Sequence, residues 1–132
     1  MKTMTRSECA VLSLVLKGEW YDMIERGEKK EEYRDAKDYW LKRFHNWHLN
    51  VNAASAPVVE FRRGHVKNAP RMAFWCLGLS TAAGMMSYAY TDEQRHPEWG
   101  EPTWPHFVIR LGGRVELVDD MGGRRSGRGQ NP

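Results

Sequence analysis

Two cysteines in 132 residues, Cys9 and Cys76, stand far apart and form no C-x-x-C pair, so the chain carries no disulfide framework. Both read as small buried residues in a reducing compartment. A membrane span is missing as well. Residues 72–91 hold no charged side chain, but Gly78, Gly84, Ser80, Thr81, Ser87, Tyr88, Tyr90 and Thr91 make them a poor hydrophobic span. Lys2 and Arg6 precede the apolar run Cys9–Leu16, which is short and passes into Lys17-Gly18-Glu19-Trp20 without a small-residue cleavage site; it reads as a first strand. A soluble, cytoplasmic protein is expected. There is no internal repeat, and Gly78–Gly84 lacks the Lys-Ser/Thr of a P-loop. His45 and His48 lie one helical turn apart, but no third ligand is marked by spacing, so neither a metal nor a cofactor is expected.

A strong overall field is also lacking. The net charge is +3, and Arg124, Arg125 and Arg128 in the Gly- and Arg-rich tail supply all of it. Residues 1–121 carry 17 basic and 17 acidic side chains, so any anion site must be local. We read residues 1–121 as one domain and 122–132 as a disordered tail.

Along the chain, Val11–Leu16 alternates as a mostly buried strand. Glu19–Arg26 reads as a short helix with Trp20, Met23 and Ile24 on one side, and Gly27 sits where a left-handed C′ residue belongs. A charged strand follows. Asp35 is placed as the N-cap of a second helix, whose apolar stripe Trp40, Phe44 and Trp47 reads as core. Val58–Arg63 and Met72–Leu79 are strands, and Phe107–Leu111 with Arg114–Val118 form two strands or one bent strand. Ser80–Pro105 shows no period and reads as a long ordered loop, in which Trp99 and Trp104 are either stacking surfaces or plugs under the fold.

The charged stretch Gly27-Glu28-Lys29-Lys30-Glu31-Glu32-Tyr33-Arg34 is the feature around which the rest is arranged. Charged residues carry a cost in β propensity, so a strand built of them implies a polar groove or a salt-bridge ladder. Strand alternation puts Lys30, Glu32 and Arg34 on one face and Lys29, Glu31 and Tyr33 on the other. Lys29 and Glu32 can therefore share a site only if Lys29 lies in the turn before the strand, or if a bulge intervenes.

Gly27, Lys29, Glu32 and Arg34 fit GxKxxExR, and the chain here resembles the ASCH domain family, in particular its short bacterial and phage-type members. Leu14–Trp20, Trp20–Gly27, Tyr39-Trp40, Phe61-Arg62-Arg63-Gly64-His65 and Ile109–Gly112 resemble further family segments, so the likeness covers roughly residues 11–118. Arg63 and His65 stand where Asn and Tyr are common. The resemblance implies an α+β fold, a small PUA-like β-barrel of five or six strands with two flanking helices. It also implies a cleft lined by the motif that binds RNA or a (modified) nucleotide or nucleoside. Gly27, Lys29, Glu32, Arg34, Arg63 and His65 are the implied ligand-binding residues. The alternative is a small hydrolase, an amidohydrolase on acylated nucleosides or a ribonuclease, with Lys29 and Glu32 as its catalytic residues. Glu32 takes the place of the amidohydrolase threonine, which favours binding over catalysis, and the acids beside Lys29 favour a cationic, ligand-holding role for it.

Overall fold

The structure, a computed structural model, describes residues 1–81 and 86–120; the expected tail, 122–132, lies outside them. Among them, seven strands and two helices follow in the order β1 (Lys2–Thr5), β2 (Cys9–Leu16), α1 (Gly18–Glu25), β3 (Glu31–Asp35), α2 (Asp38–His48), β4 (Ala56–Arg63), β5 (Arg71–Thr81), β6 (Ser87–Ala89) and β7 (His106–Val118). A 3₁₀ turn, Arg6–Glu8, separates β1 from β2. All seven strands join one mixed sheet whose main path is β1-β7-β5-β4-β2.

The 13-residue β7 organises the sheet. One edge pairs antiparallel with β5, while β3 pairs antiparallel with its first half and β1 parallel with its last four residues. Register shifts between Phe74 and Cys76 and between Cys76 and Gly78 bend β5 against β7, and irregularities of this kind curl a sheet. Gly112 sits at that bend, where a Cβ would come within 2.8 Å of the Leu77 side chain. The result is a half-barrel. Its concave face holds the core: Leu12, Leu14 and Leu16 of β2, Phe61 of β4, Phe74 of β5, and Phe107 and Ile109 of β7. Tyr21 and Ile24 of α1 and Phe44 and Trp47 of α2 cover it. On the outer face, Val58, Ala73 and Val115 form a smaller cluster.

The expected α+β, barrel-like sheet with two helices holds at this level, with several corrections. The five-strand path accords with the expected five or six strands; among the described residues β3 and β6 pair outside it, and the polar Lys2–Thr5 segment and the three-residue β6 join the sheet without an apolar period of their own. Asp35 does not cap α2. It ends β3, paired with His106, and Lys37 stands at the cap position without a side-chain hydrogen bond. Of the two alternatives for the last segment, one continuous strand is the one observed, running through Gly112-Gly113. Cys9 is half-buried rather than buried, whereas Cys76 is buried and its desolvated thiol is pushed up to about 12. Among the described residues no helix is long and apolar enough to cross a membrane.

Candidate functional site: a tryptophan-lined cleft at the charged strand

The site begins with the way α1 ends. Gly27 has φ +81° and is the C′ residue of a Schellman motif: its N–H donates to the Ile24 carbonyl (3.0 Å), and that of Glu28 donates to the Met23 carbonyl (2.9 Å). The Lys29 N–H also reaches the Met23 carbonyl (3.2 Å), so the chain turns back over the helix before the strand starts at Glu31. Lys29 therefore lies in the turn, and the condition set by strand alternation is met.

Within β3, Glu32 is paired with Ile109 and Arg34 with Phe107, so both point toward the concave face. Glu32 is only 7% exposed. Its two carboxylate oxygens take one cation each: Lys29 Nζ lies 3.4 Å from Oε1, and Arg34 Nε lies 3.1 Å from Oε2. Lys29 Nζ also donates to the Glu31 carbonyl and rests 4.3 Å from the centre of the Tyr33 ring. Arg34 continues past Glu32: its Nη2 donates to the Val15 carbonyl of β2 (2.8 Å), and its guanidinium lies 4.8 Å from the Trp40 ring. Both β2 and β3 stand at edges of the sheet, so Arg34 crosses its open seam.

The opposite face of β3 fastens the 90–105 loop. Glu31, 3% exposed, forms a two-point contact with Arg95 (2.8 and 2.9 Å) and accepts from the Tyr33 hydroxyl (2.8 Å). Arg95 also pairs with Glu101 (2.7 Å), which in turn contacts His106 Nε2 (2.9 Å). Burial raises the Glu101 carboxyl, but hydrogen bonds from Arg95 and His106 outweigh it and hold the group below its ordinary value. Burial and the Glu31 hydrogen bond push the Tyr33 phenol up. At the strand's start, the Glu98 carboxylate accepts the Lys30 and Glu31 N–H groups (2.6 and 3.2 Å); at its end, Trp104 Nε1 donates to Asp35 (2.9 Å).

This fastening leaves a cleft of about 410 Å³ between the loop, α1 and β3. Lys29, Glu32 and Tyr33 line it together with Trp20, Trp99 and Trp104. Trp99 is 75% and Trp104 55% exposed, so neither is a plug beneath the fold. No family model, curated protein or solved structure matches the chain.

A second, larger groove of about 660 Å³ lies on the other side of the Glu32–Arg34 pair, and the two share Lys17. Arg34 and His65 line this groove rather than the cleft. Arg63 lines neither. It makes a two-point contact with Asp22 of α1 (3.0 and 3.1 Å), which fixes the helix to β4 and holds the Asp22 carboxyl down through that hydrogen bond. Gly27 contributes backbone geometry alone. The structure thus brings Lys29, Glu32 and Arg34 together and leaves Arg63 apart.

Sequence reasoning passed over Arg95, Glu98 and Glu101. Alternation puts Lys29 on the Glu31 face, so the sequence called for no further cation there; Arg95 fills that place because Lys29, in the turn, pairs with Glu32. The histidines expected to reach no third ligand are engaged with tyrosines. His45 Nδ1 meets the Tyr88 hydroxyl at 3.0 Å, and His48 Nδ1 meets that of Tyr90 at 2.6 Å.

Proposed function

We propose that the protein binds RNA or a (modified) nucleotide or nucleoside, with one base held in the tryptophan-lined cleft. The observation that carries this reading is the meeting of Lys29 and Glu32 at 3.4 Å in a cleft that Trp20, Trp99 and Trp104 also line. An ammonium donor beside a carboxylate acceptor suits the mixed donor–acceptor edge of a base, and exposed indole faces suit its ring. Stacking on such a face contributes about 1–3 kcal/mol per base. Glu28, Glu32 and Glu98 against Lys17 and Lys29 make the cleft a poor place for a phosphate, so it is assigned to the base alone. The resemblance to ASCH proteins, and the PUA-like barrel it implies, point the same way.

The hydrolase reading draws on the same Lys29–Glu32 contact. Against it, the Lys29 ammonium is already engaged by Glu32, the Glu31 carbonyl and the Tyr33 ring, which suits a fixed donor better than a nucleophile.

Titrating the protein with a panel of nucleosides, acylated cytidines and single-stranded RNA, followed by tryptophan fluorescence, tests both readings. Binding should quench the signal, and Lys29→Met should weaken it by about 1–3 kcal/mol, the worth of a charge-assisted hydrogen bond. Absence of binding across the panel overturns the proposal. Hydrolysis by the wild type that is lost in Lys29→Met establishes the enzyme instead.

A further inference from the structure

We infer that the larger groove is a track for the phosphates of a single-stranded oligonucleotide whose base occupies the tryptophan cleft. The ligand is then a nucleotide within a strand rather than a free nucleoside. The inference rests on the base-binding reading of the cleft and adds a second site to it.

Charge is the first observation. Lys17, Arg34, Arg43, Arg62 and Arg71 line the groove, with Glu60 as the one acid. In a body that balances 17 basic against 17 acidic residues, this concentration is local. Glu60 does little to offset it. It is 5% exposed and shared between Arg6, at 2.6 Å from Oε2, and the groove's own Arg71, at 3.9 Å from Oε1, so it offsets part of one groove cation and leaves the others. The cations come from the start of α1, from β3, from α2 and from the facing ends of β4 and β5, which spreads them along the groove instead of gathering them around a single phosphate.

Aromatic placement is the second. Tyr39 is 63% exposed and lines the groove beside Trp40, whose ring centre lies 4.8 Å from the Arg34 guanidinium and 5.4 Å from that of Arg43. Cations interleaved with an exposed ring are what single-stranded nucleic acid requires: charge for the backbone and a flat face for a neighbouring base. An acidic peptide would use the charge and leave the ring idle.

Continuity is the third. Lys17 borders both spaces, and an ion pair at 3.1 Å links them, with Glu32 lining the cleft and Arg34 the groove. A base on the Glu32 side and its phosphate on the Arg34 side belong to one nucleotide.

The test uses the full chain, free nucleosides, a labelled single-stranded RNA of about eight nucleotides and inorganic polyphosphate. Arg43 and Arg71 line the groove and not the cleft. In Arg43→Gln/Arg71→Gln, RNA affinity should fall at least about tenfold at low salt. The slope of log affinity against log salt should become shallower by about 1.4, two contacts at about 0.7 each. Nucleoside quenching of the tryptophans should not change, and Arg43→Lys/Arg71→Lys should restore most of the slope. A wild-type slope in the Gln variant, with quenching intact, overturns the groove and leaves the cleft reading standing. Trp99→Ala that binds RNA as tightly as the wild type overturns the cleft reading, and with it the continuity proposed here. Polyphosphate that binds as tightly as the RNA overturns the oligonucleotide assignment.

Discussion

The Arg34 guanidinium on β3 and the Val15 carbonyl on β2 meet at 2.8 Å across the open seam of the sheet. Backbone hydrogen bonds do not join these two edge strands among the described residues, so a side chain supplies the link. The same guanidinium holds Glu32, which ties closure of the half-barrel to the geometry of the candidate site.

Arg34→Met should therefore destabilise the fold by about 2–4 kcal/mol, because it strips one of two cations from a buried carboxylate and leaves the Val15 carbonyl without this donor. Arg34→Lys keeps the charge but not the fork that reaches both partners, and should recover only part of the loss. Urea denaturation of the two variants checks this; a loss below 1 kcal/mol in Arg34→Met would count against the seam.

Gly27→Ala should cost about 1–2 kcal/mol. Nothing lies within 4 Å of the position its Cβ would take, so the cost is conformational and not steric. Gly27→Asn should be milder, since asparagine tolerates the left-handed region. If alanine and asparagine lowered stability equally, crowding would have to be invoked after all.

Acid should loosen the loop that carries the cleft tryptophans. The Glu101 carboxyl is held below its ordinary value of 4.5 in the folded state, with hydrogen bonds from Arg95 and His106 overcoming the effect of burial. A depressed carboxyl contributes stability that is fully present above the ordinary value and is lost as pH falls through the folded-state value. Tryptophan emission should change below about pH 4.5, and Glu101→Gln should remove that component while other carboxylates continue to titrate. Superimposable acid titrations of the wild type and the variant would disprove the link.

The parts of this arrangement that sequence made legible are those governed by neighbouring residues. The end of α1 at Gly27 follows from glycine's freedom at positive φ, and the two faces of β3 follow from alternation. The core stripe was legible for Phe44 and Trp47, which are buried; Trp40, at its end, is only partly buried and faces the groove. The parts that were not legible depend on partners distant in sequence. Asp35 looks like a cap until β7 supplies His106 opposite it. Arg95 lies in a segment with no period, and its role exists only because Glu31, 64 positions earlier, is buried beside it. The four residues of β1 have no apolar pattern; their pairing is set by the far end of β7. Trp99 and Trp104 were open between two roles, because exposure of a loop tryptophan depends on where the loop is anchored.

The reach of β7 also shapes how the chain comes together. Lys2 pairs with Val115, 113 positions later, and β3 and β5 both need β7 as a neighbour. Contacts this far apart close long loops, whose entropy cost precedes any gain from pairing. As the polypeptide leaves the ribosome, β3 has no strand to lie against and β5 has one edge bare until residues 106–118 have emerged. The helix, turn and hairpin contacts can form early, but the sheet is finished by its last strand, and the cleft takes shape only then.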